Sequence, residues 1–163
     1  MTHTIKRALL IIVLIAVAAS AGFAEEVERR DSLAVNPLAT IFSLTMNSVD
    51  ILLEYQHLFG SYVSLVVMPE IFFGPGLFGG AVGLGVNVYP FGRGFRGLFI
   101  GLIPLGGVIS AYNYIFPFYG AVFKLGFQWV FDSGFLLSGA AGGDWDNYSG
   151  IGPHIAVYLG YAW

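Results

Sequence analysis

Ile155-Ala156-Val157-Tyr158-Leu159-Gly160-Tyr161-Ala162-Trp163 closes the chain, and its alternation decides the fold. Ile155, Val157, Leu159, Tyr161 and Trp163 are apolar or aromatic and occupy every second position. Ala156, Tyr158, Gly160 and Ala162 lie between them and are mostly small. A repeat of two is the period of a β-strand, whose successive side chains point to opposite faces. The segment reads as a strand with one greasy face and one tight face.

The same pattern recurs upstream. The clearest case puts Tyr119, Ala121, Phe123, Leu125, Phe127, Trp129 and Phe131 against Gly120, Val122, Lys124, Gly126, Gln128 and Val130. Val82, Leu84, Val86 and Val88 alternate with Ala81, Gly83, Gly85, Asn87 and Tyr89. Val63, Leu65, Val67, Ile71 and Phe73 oppose Ser64, Met68 and Glu70, although Pro69 needs a bulge or a rim position. Val49, Ile51, Leu53 and Tyr55 oppose Asp50, Glu54 and Gln56. Two further strands, about Leu98–Ser110 and Phe135–Gly142, are less regular, the first being broken by Pro104 and Gly106-Gly107. Asn36-Pro37 is read as opening the first strand, with Leu38, Thr40, Phe42, Leu44 and Met46 on one face. Asn47-Ser48 follows as a hairpin turn. Phe59-Gly60-Ser61, Gly74-Pro75-Gly76, the stretch Pro90–Gly97 with Arg93 and Arg96, Ala111–Asn113, Asp132-Ser133-Gly134 and Asp144–Gly150 supply the remaining connections.

The count is about eight strands, each of roughly eight to thirteen residues and near the nine to eleven of a tilted membrane strand. Composition agrees. The chain of 163 residues is 56% hydrophobic and only 10% charged, too apolar for an ordinary water-facing surface. Its 23 glycines break up the apolar segments. Beyond the N-terminus no apolar run reaches the roughly eighteen residues of a spanning helix. The expected fold is all-β: a closed, antiparallel, up-and-down transmembrane barrel over residues 33–163. With no cysteine, neither a disulfide framework nor a thiolate metal site is available. No metal or cofactor is expected.

Residues 1–24 read as a secretory signal peptide. Lys6 and Arg7 precede the twelve apolar residues Ala8–Ala19, and small residues lead to cleavage after Ala24, or after Ala21. A twelve-residue helix rises only about 18 Å, short of a hydrocarbon core of roughly 30 Å. Residues 25–32 (EEVERRDS) form a charged periplasmic lead-in. Removing Lys6 and Arg7 leaves five basic against ten acidic residues, a net charge of −5 that argues against nucleic-acid binding.

Charges inside strands are the most informative side chains. Alternation turns Glu54 and Lys124 inward, because a cation facing lipid at mid-depth costs about 2–4 kcal/mol. A polar network of Glu54, Lys124, Gln56, Gln128 and Asn87, with Glu70 or Tyr89 as further members, is expected to fill the lumen. Eight strands leave an interior just wide enough for side chains, which favours a structural plug over a gate or proton path. His57 beside Ser61 or Glu54, and His154 beside Ser149 or Asp146, would be the elements of a hydrolytic site. Polar rim residues are the favoured reading of both, and no catalytic residue is assigned. Tyr55, Tyr89, Trp129, Phe131 and Trp145 are expected at the membrane interface, along with Phe59, Phe73, Phe91, Tyr112, Tyr114, Phe116 and Tyr148. Gly83, Gly85, Gly101, Gly126 and Gly160 make room inside the wall or let it curve.

The aromatic end at Tyr161 and Trp163 resembles the closing strand of bacterial outer-membrane barrels, which the barrel-assembly machinery reads as a signal. Asn36-Pro37 with Leu53-Glu54-Tyr55, Val88-Tyr89-Pro90-Phe91 and Gln128–Gly134 (QWVFDSG) resemble a family of small outer-membrane barrels of unknown function. The architecture is similar to barrels of the OmpX and OmpW kind. That resemblance implies an outer-membrane address, lipid as surroundings, the assembly machinery as transient partner and no catalytic set. The expected role of this porin-like fold is structural or interactive, as a monomer in a Gram-negative-type envelope. The alternatives are a small enzyme acting on lipid A and a narrow solute pore with a lateral opening near Pro104 or Pro69.

Overall fold

The structure, a computed structural model, describes residues 29–91, 94–112 and 114–163. The proposed signal peptide, the first half of the lead-in (25–28), Arg93 and Asn113 lie outside the described residues. Chain order is β1 (Asp31–Val35), α1 (Pro37–Thr45), β2 (Val49–Phe59), β3 (Val63–Gly74), β4 (Leu77–Val88), β5 (Gly97–Ala111), β6 (Tyr114–Val130), β7 (Phe135–Asp146) and β8 (Gly150–Ala162). Each strand pairs antiparallel with its neighbours, and β1 also pairs with β8, closing an eight-stranded barrel. None of the described helices is long and apolar enough to cross a membrane, which says nothing about strands.

The alternation expected for β2 to β8 is present. On β6, Phe123, Leu125, Phe127 and Trp129 are exposed, while Val122, Lys124, Gln128 and Val130 are buried. Val82, Leu84 and Val86 on β4 likewise face outward, against buried Ala81 and Asn87. The outer face is therefore apolar and the inner face mixed. Pro69 and Pro104 stand where ladders are interrupted. No pair lies between Leu52↔Glu70 and Tyr55↔Val67, or between Gly83↔Leu105 and Val86↔Leu102. Proline has no N–H to offer there.

The first strand is not where alternation placed it. Residues 37–45 form a helix, and β1 lies just upstream, so Asp31 and Ser32 belong to the wall. Asn36 is the helix N-cap, its Oδ1 accepting from Leu38 N–H at 3.1 Å and Ala39 N–H at 3.3 Å. Pro37 sits where a missing N–H costs nothing, so Asn-Pro is a helix start. Asn47 is no hairpin turn: it has φ of 57° and makes the left-handed exit from the helix. The alternation misled because both faces of residues 38–46 are apolar or small, which gives a period of two no discriminating power. Other boundaries also move: β4 begins at Leu77, β6 begins at Tyr114, β7 runs to Asp146 and β8 begins at Gly150.

The seam is tight. Gly160 pairs with Ala34, and a Cβ there would collide with the Leu33 carbonyl oxygen and the Ala34 backbone. Gly106, by contrast, has open space where a Cβ would go. Gly160→Ala is expected to cost about 1–3 kcal/mol by overpacking, and Gly106→Ala to stay within about 0.5 kcal/mol. Urea unfolding of both variants in detergent micelles checks this, and equal midpoints would refute the account of the seam.

Candidate functional site

Two polar assemblies occupy the lumen, one above the other. The lower is a plug. Lys124 on β6 is fully buried, Glu54 on β2 is 2% exposed, and the two form an ion pair across the barrel. Gln56 Nε2 donates to Glu54 Oε1 at 2.8 Å and to Gln128 Oε1 at 3.2 Å. Gln56 Oε1 accepts from Ser64 at 3.0 Å and from the Tyr89 hydroxyl at 2.6 Å. Lys124 Nζ also lies 4.9 Å from the Tyr158 ring centroid and 5.5 Å from that of Phe99. Buried charge is tolerable only when paired, and here the ammonium has both a carboxylate and two ring faces.

Glycine makes space for these side chains. A Cβ on Gly101 would meet Asn87 Oδ1 and the Lys124 chain, and one on Gly126 would enter the Phe99 ring. The plug ends below in Phe95, which folds in from the β4–β5 connection and meets Tyr89 edge-on at 6.5 Å.

The structure brings together Glu54, Lys124, Gln56 and Gln128. Asn87 is buried beside them, but neither of its side-chain polar atoms makes a hydrogen bond. Tyr89 is not an interface aromatic: it is completely buried, because β4's alternation runs one residue past Val88 and carries it inward. The contacts of Tyr158 and Phe99 with Lys124 were missed: alternation places Tyr158 on the tight face of its strand, but no local pattern says which inward ring meets the ammonium. Trp129 and Phe131 are exposed and stacked at 5.8 Å near the lower rim, where Tyr161 and Trp163 also lie. Trp145 is exposed beside Tyr119 at the other end, ring centroids 6.0 Å apart. Tyr55 is half-buried on the outer face and donates to Asp31.

Above the plug is a cavity of about 340 Å³ beneath α1 and the β7–β8 connection. Its lining includes Asp50, Glu70, Asp144, Asp146 and His154. Glu70 thus stands in the cavity and takes no part in the plug. Asp146 is occupied as a turn acceptor, taking Tyr148 N–H and Ser149 N–H at 2.7 Å each and the Ser149 hydroxyl. Asp144 faces His154 at 3.7 Å. Asp50 Oδ1 and His154 Nε2 are buried without hydrogen-bond partners.

Neither histidine meets a nucleophile. Ser149 bonds Asp146, while His154 is beside Asp144. His57 lies on the outer face, its Nδ1 2.8 Å from Asp31 Oδ1, with Glu54 turned to the lumen. Among the described residues no group of three or more His, Asp or Glu is placed to hold a metal ion.

Fold and plug together define a closed eight-stranded barrel with an ionic interior. No protein-family model, curated protein or solved structure matches the chain.

The ion pair makes a direct prediction. Lys124→Met alone leaves a buried unpaired carboxylate and is expected to cost about 3–5 kcal/mol. Adding Glu54→Gln should restore most of that loss. A double-mutant cycle by urea unfolding tests the coupling, and strictly additive costs would show that the pair is not coupled.

Proposed function

We propose that this chain is an exported, integral outer-membrane barrel with a side-chain-filled lumen, serving a structural or interaction role. The observation that carries the reading is the division of solvents across the wall. Leu84, Leu102, Phe123, Leu125, Phe127 and Trp129 all point outward and are exposed, while the paired charges point inward. Contiguous exposed apolar surface beyond a few hundred Å² is rare on monomeric soluble proteins. Hydrocarbon satisfies such a face, and closure of the sheet leaves few backbone groups unpaired.

Aromatic residues at both rims support the same reading, since indole and phenol rings favour the interface between hydrocarbon and water. Tyr161 and Trp163 would serve as the assembly signal, and residues 1–24 as the cleaved export segment. With both strand termini on the periplasmic side, α1 and the cavity face outward from the cell. The plug rules the mechanism in this reading: a continuous aqueous path would have to displace Lys124 from Glu54, leaving both charges unpaired at mid-depth.

The purified chain in detergent is expected to migrate faster unheated than boiled on gels, as a compact barrel does. In planar bilayers it should produce no stepwise conductance. Identical migration with and without boiling would remove the barrel reading; reproducible channel steps would remove the filled lumen.

A further inference from the structure

Charge is divided along the barrel axis. Among the described residues, Arg29, Arg30 and Arg96 all stand at the lower rim. Asp50, Glu70, Asp144 and Asp146 stand above the plug, with no described lysine or arginine at that level. Lys124, the remaining described cation of this kind, is committed to Glu54.

Two of the arginines converge on one turn. Arg29, ahead of β1, donates from Nη1 to Phe131 O at 2.7 Å and from Nη2 to Asp132 O. Arg96, ahead of β5, donates from Nη2 to Asp132 Oδ1 at 3.2 Å. The β6–β7 turn is thus held by segments that reach it from β1 and from β5. Two guanidinium charges meet one carboxylate there, an excess of one positive charge. The Arg96–Asp132 pair is exposed, 54% at the arginine and 84% at the aspartate, and exposed pairs are weakly held. A guanidinium carries five N–H donors, so these bonds engage only part of each fork.

An apolar ladder meets the turn. Phe127, Trp129 and Phe131 descend the outer face of β6, all exposed, with successive ring centroids 6.3 and 5.8 Å apart. Phe135 adds a ring 5.6 Å from Phe131. A cationic foot under a greasy ladder matches an amphiphile with an anionic head. The opposite rim also has an aromatic pair, Tyr119 and Trp145, but the neighbour of Trp145 in the chain is Asp146. That end lacks the cationic half of the match.

We infer that the Asp132–Gly134 turn docks the phosphate of an anionic phospholipid, gripped by Arg29 and Arg96, with its acyl chains along Phe127, Trp129 and Phe131. The inference rests on the outer-membrane reading above, which puts hydrocarbon against these rings. A planar guanidinium fork fits two phosphate oxygens at once, and each such bond is charge-assisted. The phosphate takes the place of the Asp132 carboxylate on Arg96, a partner that is itself exposed to exchange. The excess positive charge selects among phospholipids, since a head group whose own ammonium cancels its phosphate gains less from it.

Quenching of tryptophan fluorescence by brominated lipid tests this. The chain has three tryptophans, Trp129, Trp145 and Trp163. Trp145→Phe with Trp163→Phe leaves Trp129 as the reporter near the turn. Trp129→Phe with Trp163→Phe leaves Trp145 at the other end. Each chain is reconstituted in phosphatidylcholine containing a small fraction of brominated phosphatidylglycerol or of brominated phosphatidylcholine. At Trp129 the glycerol lipid should associate about tenfold more strongly, the scale of one charge-assisted hydrogen bond. At Trp145 the two should be equal. Arg29→Gln with Arg96→Gln should bring Trp129 to the same parity. Asp132→Asn keeps both arginines and releases Arg96, so the preference should rise, which a clasp that merely braces the turn would not produce. Inorganic phosphate, compared with chloride at equal ionic strength, should not displace the lipid, having no chain to lie on the rings. Gel migration of unheated samples verifies that each variant is folded.

Parity at Trp129 with both arginines present, while both lipids quench, would overturn the inference and leave the membrane reading standing. A preference that survives loss of both arginines would remove them from the site. No rise with Asp132→Asn would overturn the exchange at Arg96, and displacement by inorganic phosphate would overturn the lipid as occupant. Absence of quenching by either lipid would overturn the membrane reading and this inference with it.

Discussion

The ion pair between Lys124 and Glu54 holds the barrel in register. It joins β6 to β2 across the lumen, with both side chains shielded from water. A slip of two residues in either strand would keep every face in place yet carry its charge about 7 Å along the barrel from its partner, since side chains alternate with a period of two. The pair therefore selects one pairing of strands among several that hydrophobic alternation would tolerate. Gln56 extends that selection, because its amide bonds Glu54 and Gln128 while its carbonyl accepts from Ser64 and Tyr89. Four strands or their ends, β2, β3, β4 and β6, thus meet at one buried cluster.

Close packing around the cluster depends on residues without side chains. Gly101 stands opposite both Asn87 and Lys124 in the sheet register, and its missing Cβ leaves room for them. Gly126 does the same for the Phe99 ring. Large buried groups and absent ones are two halves of a single packing solution. The high glycine content is a consequence of a narrow barrel whose interior must hold a lysine, a glutamate, two glutamines and four aromatic rings.

The weak side of the wall has a different origin. Asn36 and Pro37 end β1 after five residues and start a helix, so the strand that closes the barrel covers only part of its neighbours. The cavity lies beneath that shortfall. Its acids come from β2, β3 and β7, and its histidine from β8. The lower half, closed by β1, and the upper half, where α1 stands beside β2 and β8, meet at Val35, which pairs with both Leu53 and Leu159.

Most of the barrel was legible in the chain because period two is local: each residue's face follows from its neighbours, without knowledge of what it packs against. The approximate places of β2 to β8 and the inward turn of Glu54 and Lys124 followed from that alone. The helix was legible only through Asn36-Pro37, a capping signal that an apolar run on both faces concealed. Tertiary structure alone decided which inward groups touch. Tyr158 met the Lys124 ammonium and Tyr89 met Gln56, Glu70 parted from the plug, and His154 faced Asp144, not Ser149. Those outcomes depend on the stagger between strands far apart in the chain, and no local pattern encodes a stagger.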